Sequence, residues 1–350
     1  READIPPTMN AFSSLLSSLP AAHGGYLGQT IALAVAVSWT VCALLSETVS
    51  RRLGAHVVNV LRMVLSLLFI GALLWVCTGS PLPPRADATT WGWLLASGAV
   101  GYVFGDYCLF NAYLLIGSRF GQLFMTLAPA VSAVAGWLLL GERLSAQALA
   151  GMAVTMTGIA VSILGRGAPD GAEVGRGGRR RVRLNLPTRG VLLGIGAGVG
   201  QGLGLTLSAV GLHHYAASWA HGAASTAPAA AEHLRWLLPF AATQMRAVAG
   251  LPGFLLILFL AGKGGALRRA CTGGRGWLLM AATVVFGPFV GVSLSLMATQ
   301  YTSTGVAMTI MSLSPVLILW PAHVLFGQRV TRREVVGALI SVAGVALFFV

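Results

Sequence analysis

An all-α polytopic membrane protein, with ten transmembrane helices arranged as two inverted five-helix repeats, is the fold class this sequence predicts. Three observations predict it. Of the 350 residues, 56% are hydrophobic and only 9% charged, where a soluble domain carries about 25% charged residues. The apolar runs are continuous over about 20 residues, the length of helix that crosses a hydrocarbon core about 30 Å thick, and this excludes the alternating pattern of a membrane barrel. The chain also repeats itself. Shifted by 186 residues, Gly101, Gly105, Leu127, Pro129, Gly141, Arg143, Gly151 and Gly158 fall on Gly287, Gly291, Leu313, Pro315, Gly327, Arg329, Gly337 and Gly344, and twelve of 64 ungapped positions are identical. Five helices per copy is an odd number, so the second copy enters the membrane from the opposite side.

The elements follow in order. Residues 1–26 hold only a short apolar patch, Phe12 to Leu19, and no signal peptide is expected there. The first repeat, 27–164, is read as helices over 27–49, 57–78, 92–115, 120–140 and 147–164. The break at Ser80-Pro81-Leu82-Pro83-Pro84 is the clearest. A Gly/Arg-rich linker, 165–189, leads to the second repeat, 190–350, with helices over 190–211, 239–261, 277–299, 305–326 and 334–350. In the sixth helix Gly194, Gly198 and Gly202 form one row and Gly196, Gly200 and Gly204 another, so backbones can approach it closely on two sides, or the helix can bend. Pro129 and Pro315 occupy matching points of the fourth and ninth helices, where kinks are expected.

Leu127-Ala128-Pro129, an apolar helix, Gly141-Glu142-Arg143 and a last helix bearing Gly151 and Gly158 resemble one half of an EamA-type transporter of the drug/metabolite transporter superfamily. The second half repeats the pattern as Leu313-Ser314-Pro315, Gly327-Gln328-Arg329, Gly337 and Gly344, with Gln328 in place of Glu. The resemblance covers nearly the whole chain. It implies a ten-helix exporter or exchanger of small metabolites with a central cavity between the halves, and leaves the cargo open.

The net charge of +13 does not point to nucleic acid, because the basic residues sit between apolar segments rather than interleaved with aromatics on one face. Seventeen Lys and Arg fall on the side of the first-to-second, third-to-fourth, fifth-to-sixth, seventh-to-eighth and ninth-to-tenth connections, against four on the other side. The positive-inside rule then places both termini outside, whereas the resemblance implies cytoplasmic termini. The run Arg179-Arg180-Arg181-Val182-Arg183 is read as a topology determinant touching anionic lipid. The expected location is the plasma membrane, a bacterial inner membrane, and the expected state a monomer or homodimer. Cys42, Cys77, Cys108 and Cys271 have no paired spacing and read as packing residues.

An ionisable side chain within a membrane helix costs at least about 2.5–3.5 kcal/mol on insertion scales, so each of the few here needs a reason. Glu47, Arg62 and Asp106 are all displaced toward the same, Arg-rich side of the membrane. Glu47 either pairs with Arg51 one turn on or joins a charged cluster; Arg62 either snorkels or joins it. Asp106, the most central, is flanked by Tyr102 and Phe110 and is the candidate coupling residue. Arg246 is the repeat mate of Arg62 at a shift of 184 and lies toward the other face. Its partner is Glu232 in the preceding loop, a backbone carbonyl, or a carboxylate or phosphate of the substrate. By depth alone Trp39, Asn59, Asn111, Gln122, Thr126, Gln201, Gln244, Gln300 and Thr309 are candidates for the cavity wall, about half of them expected to point elsewhere. His213, His214, His221 and His233, with Glu232, fall in the loop after the sixth helix and match no standard ligand spacing, so no metal site is expected.

HExxH, GxSxG and a Walker A loop are all missing, which argues against a membrane enzyme and against a self-contained ATP-driven pump. No cofactor is expected. The leading expectation is a proton- or exchange-coupled exporter of small polar or amphipathic, for instance amino-acid-like, metabolites working by alternating access. A multidrug extruder or a lipid-linked sugar flippase on the same fold is the alternative.

Overall fold

The computed structural model describes residues 26–109, 111–112, 115–116, 124–165, 187–224, 235–272, 276–317, 321, 324 and 330–349. All described elements are helical. The first half holds α1 (Leu27–Leu53), α2 (Ala55–Thr78), α3 (Ala88–Gly98), α4 (Leu127–Leu140) and α5 (Ala146–Gly165). The second holds α6 (Thr188–Ala224), α7 (Leu238–Leu260), the short α8 (Gly264–Thr272), α9 (Trp277–Val284), α10 (Ser293–Ala298), α11 (Thr304–Met311), α12 (Ser314–Leu317) and α13 (Arg332–Ala346). Among the described residues five stretches are long and apolar enough to cross a membrane: Leu27–Ser50, His56–Thr78, Thr188–Trp219, Arg235–Leu260 and Trp277–Ala298; Leu127–Leu140 and Ala146–Ser162 are shorter apolar helices.

Local chemistry sets the breaks. Gly54, at φ +82°, lies alone between α1 and α2, a backbone region closed to most side chains. Asp87 caps α3, its carboxylate accepting a hydrogen bond from Thr90 N at 2.9 Å. A capping box opens α13: Thr331 Oγ1 accepts from Glu334 N, and the Glu334 carboxylate accepts from Thr331 N. Ser145, the repeat mate of Thr331, does the first half of this for α5 by accepting from Ala148 N at 3.1 Å.

Several boundaries differ from the sequence expectation. α6 runs to Ala224, not to residue 211, because the Ala-rich stretch after His213 has no proline before Pro228. At 37 residues it is about 55 Å long, well over a bilayer core, and it carries His213, His214 and His221 on a helix rather than in a loop. His213 and His214 are exposed and line a cavity of about 340 Å³ with Leu139, Leu140, Val210 and Ala217; His233 and Glu232 lie outside the described residues. Among the described residues no group of three or more His, Cys, Asp or Glu could hold a metal. The expected kinks fall just before the prolines. Pro129 is the third residue of α4, after a turn at Thr126, and Pro315 the second of α12, after a turn at Ser312–Leu313. In a first helical turn the missing N–H leaves no broken bond.

Two eight-residue stretches are π-helical, Ala99–Asp106 after α3 and Val285–Val292 between α9 and α10. They begin 186 residues apart, the spacing of the sequence repeat.

The pairing of helices follows from where glycines let them touch. α3 and its π-helical extension cross α6 antiparallel: a Cβ on Gly204 would lie 2.6 Å from Gly101 Cα, and one on Gly200 2.7 Å from Gly105 Cα. The other glycine row of α6, at Gly194, Gly198 and Gly202, faces Phe124, Leu127 and Ala128, on α4 and just before it. The second π-helical stretch lies against α1 at Gly287–Cys42 and Gly291–Trp39. α5 and α13 cross antiparallel through Gly151–Gly344 and Gly158–Gly337, with Thr155 Oγ1 donating to Ser341 O at 3.5 Å between them. Thr155 and Ser341 are repeat mates. α2 and α7 are antiparallel as well, meeting at Met63–Gly250 and Gly71–Gln244.

Candidate functional site

The α3–α6 crossing positions the first part of the site. Since Gly105 and Gly200 touch through their backbones, the next residue of α6, Gln201, is pressed onto the π-helical stretch of α3. Its Nε2 donates to Asp106 Oδ1 at 2.7 Å and to Gly101 O at 3.3 Å. Asp106 ends that stretch and is buried. A carboxylate there accepts from a neutral amide, which orients it without cancelling its charge.

α7 builds the second part. Gly98 takes the backbone of Arg246 directly against it, with no room for a Cβ. The Arg246 side chain then passes along α3, and its Cζ sits 4.6 Å from the centroid of the Tyr102 ring, in the range of a cation–π contact. Its Nη2 lies 3.0 Å from where a Gly101 Cβ would be. Arg246 is 5% and Tyr102 4% exposed. α2 adds Arg62, whose Nη1 donates to Asn59 Oδ1 at 3.2 Å one turn back. Arg62 and Arg246 are both within electrostatic reach of Asp106 and of Tyr102. Asp106 is thus held by Gln201, with no direct ion pair to either arginine among the described residues.

Six of the sequence candidates therefore converge: Asp106, Tyr102, Arg62, Asn59, Arg246 and Gln201, drawn from α2, α3, α6 and α7. Others lie elsewhere. Trp39 packs against Gly291 of the second π-helical stretch. Gln244, two residues from Arg246, turns away and donates from Nε2 to Pro81 O at 2.8 Å, beyond the end of α2. Gln300 is half-buried in the turn after α10. Thr309 donates to Gly305 O and Asn111 to Tyr107 O, each one turn back on its own helix, so neither hydroxyl nor amide is held toward the cluster. Thr126 is half-buried in the turn before α4. Gln122 and Phe110 lie outside the described residues; Glu47 lies on α1, its side chain outside them.

Three polar atoms of the cluster are buried without a hydrogen-bond partner: Nε of Arg62, Nε of Arg246 and the hydroxyl of Tyr102. Two are guanidinium donors and the third a phenol. An unsatisfied buried donor costs about 1–3 kcal/mol, more when charged, so the cluster carries three unmet donors at a substantial cost.

Sequence reasoning missed one contact between the halves. Glu142, in the Gly141-Glu142-Arg143 motif, accepts from Thr304 N at 2.9 Å and from Thr304 Oγ1 at 2.8 Å, at the first residue of α11. The carboxylate satisfies an otherwise open helix N-terminus and sits at the positive end of its dipole. The only signal in the sequence is the charge next to a left-handed glycine, Gly141 at φ +67°.

Residues 26–164 and 214–350 each match the model of the EamA-like transporter family. No curated protein matches the chain. A solved crystal structure 17% identical in sequence superposes with a TM-score of 0.62 over 92% of this chain and 96% of its own; at that identity the likeness is one of fold.

Proposed function

The chain belongs to the EamA-like transporter family, within the drug/metabolite transporter superfamily, and from that membership we propose that it is a secondary-active exporter of small metabolites working by alternating access. The observation that carries the proposal is the buried cluster of Asp106, Tyr102, Arg62, Arg246 and Gln201, assembled from helices of both halves. Charged groups inside a membrane bundle mark substrate or proton pathways.

The two halves act as an inverted repeat. What supports this is reciprocal contact: α3 reaches across to α6, the second π-helical stretch reaches back to α1, and repeat mates meet where α5 crosses α13. The repeat units, 27–164 and 190–350, rock against each other about a pseudo-two-fold axis in the membrane plane and expose the cluster to each side in turn. The positive-inside count supports both termini outside, with the Arg-rich loops in the cytoplasm of a bacterial inner membrane.

Coupling runs through Asp106. Ionised, it offsets one of the two guanidinia near it; protonated, it leaves both positive charges uncompensated and favours an access state that meets them with substrate or water. Proton and cargo so act on one charge balance. An uptake and efflux screen in vesicles, with and without an imposed pH gradient, tests the proposal. Gradient-driven movement of at least one small polar metabolite, absent from vesicles without the protein, is expected; movement that continues unchanged without a gradient and without cargo on the far side contradicts coupling.

A further inference from the structure

We infer that Arg62, Arg246 and Tyr102 form an oxyanion subsite, so that the cargo carries a carboxylate or phosphate group held between the two guanidinia. The inference names the substrate class of the site proposed above and rests on that proposal for the anion being cargo.

Charge comes first. Within the cluster two guanidinia face one described carboxylate, Asp106, whose Oδ1 is already taken by Gln201 Nε2 at 2.7 Å. From Thr188 to Val330 the only acidic residue is Glu232, in the segment before α7, so the stretch that supplies Arg246 has no carboxylate of its own within its membrane helices. Glu47 is the other acidic residue in a candidate span of this region, on α1. Arg246 is not neutralised by stacking on Tyr102, since a cation–π contact stabilises the charge without removing it.

Donor geometry comes second. Arg62 Nε, Arg246 Nε and the Tyr102 hydroxyl are all buried and unpartnered, with Arg246 and Tyr102 each more than nine-tenths buried. On the register fixed by Met63–Gly250 and Gly71–Gln244, Arg62 stands opposite α7 near Pro252, six residues and so about 9 Å along the axis from Arg246. The two arginines thus approach Tyr102 from opposite depths, and side chains of this length converge across that gap. An oxyanion accepts from several donors at once, and the planar guanidinium fork suits both carboxylate and phosphate. A cation would leave the Nε donors unmet, and an uncharged acceptor would meet them without offsetting the second positive charge.

The test uses the purified full chain in neutral detergent at constant ionic strength set with chloride. Acetate and inorganic phosphate are the probes, small enough to enter without a side group to clash; acetamide is the uncharged control and phosphatidylglycerol, added to the detergent, the lipid-headgroup control. At about 10 mM, acetate, phosphate or both should raise the thermal midpoint by about 2 °C or more, with no effect of acetamide. Response to acetate alone identifies a carboxylate subsite, and to phosphate alone a phosphate subsite. Arg246→Gln should abolish the shift; Arg246→Lys, which keeps the charge and most of the packing, should weaken it about tenfold in concentration, and Tyr102→Phe should weaken it less. No shift with either anion, an equal shift with acetamide, a shift retained in both Arg246 variants, or a shift produced only by phosphatidylglycerol overturns the inference. Failure of the transport proposal looks different: Arg246-dependent anion binding would persist with no flux in vesicles.

Discussion

The two π-helical stretches occupy the same place in their repeats, yet one is lined with chemistry and the other is not. Tyr102 and Asp106 in the first correspond to Pro288 and Val292 in the second. Each stretch is approached through a glycine by an indole or amide nitrogen of the opposite half. Gln201 Nε2 would lie 3.2 Å from a Gly105 Cβ, and Trp39 Nε1 2.7 Å from a Gly291 Cβ. On the first stretch the amide meets a carboxylate, Asp106; on the second the matching position is Val292, which offers the indole no acceptor. The backbone crossing is duplicated and the polar site is built once. Duplication preserves what depends on glycine spacing and apolar packing, while the polar side chains of the first stretch, Tyr102 and Asp106, have no polar counterpart in the second.

That contrast can be broken at the crossings first. Gly204→Ala drives a Cβ into the backbone of Gly101, so it should cost about 2–3 kcal/mol in thermal or denaturant unfolding of the purified chain. Gly287→Ala, on the other stretch, meets only the Cys42 sulfur at 2.9 Å, a side chain able to turn, and should cost below about 1 kcal/mol. Equal losses would mean that the two crossings are equally tight.

Gln201→Leu removes the amide that holds Asp106 and should destabilise by about 2 kcal/mol, since a buried charged acceptor loses its donor. The same measurement on Asp106→Asn/Gln201→Leu should show a smaller added loss than on Gln201→Leu alone, because the orphaned charge is gone.

A third comparison lies at the motif between α4 and α5. Glu142→Ala leaves the α11 N-terminus without its acceptor and should lower stability by about 1 kcal/mol. Glu142→Gln keeps an acceptor oxygen and should lose less, in line with Gln328 at the matching position of the second half. Unfolding midpoints of the two variants decide it.

The smallest effect is a pH dependence at Asp87. Hydrogen bonding to Thr90 holds its carboxyl below the usual aspartate range, so its cap stabilises α3 fully above the unfolded-state pKa of about 3.9 and loses that contribution as pH falls through the lower folded-state value. The stability difference between the wild-type chain and Asp87→Ala should be constant near neutrality and shrink only in acid. A difference that grows on acidification contradicts the cap.

Much of the scaffold was legible in the residues. Apolar run length fixed where α1, α2, α6, α7 and α9 lie, the two glycine rows of α6 were readable as two close contacts, and the 186-residue shift carried the repeat. Asp106, Arg62 and Arg246 stood out because charge is rare in such helices. What stayed hidden depends on register between helices, which a single sequence does not encode. Arg62 and Arg246 look separated by depth, and their convergence on Tyr102 follows only once α2 and α7 are known to be antiparallel and in contact. Glu142 and Thr304 are 162 residues apart with no shared motif. The π-helical stretches have no compositional mark, for Ala99–Asp106 and Val285–Val292 share only their glycines. Pro129 and Pro315 were legible as interruptions but not in their form: each stands in the first turn of a new helix after a short turn at Thr126 or Ser312–Leu313.

The most direct test of a site built on one side of a symmetric scaffold is proton-coupled transport by Asp106→Asn beside Val292→Asn, in vesicles with an imposed pH gradient and a cargo found by the efflux screen. Asp106→Asn should fold and retain exchange but lose dependence on the gradient, while Val292→Asn at the matching position keeps the wild-type pH profile. An unchanged pH profile in Asp106→Asn, or an equal loss in both variants, would contradict it.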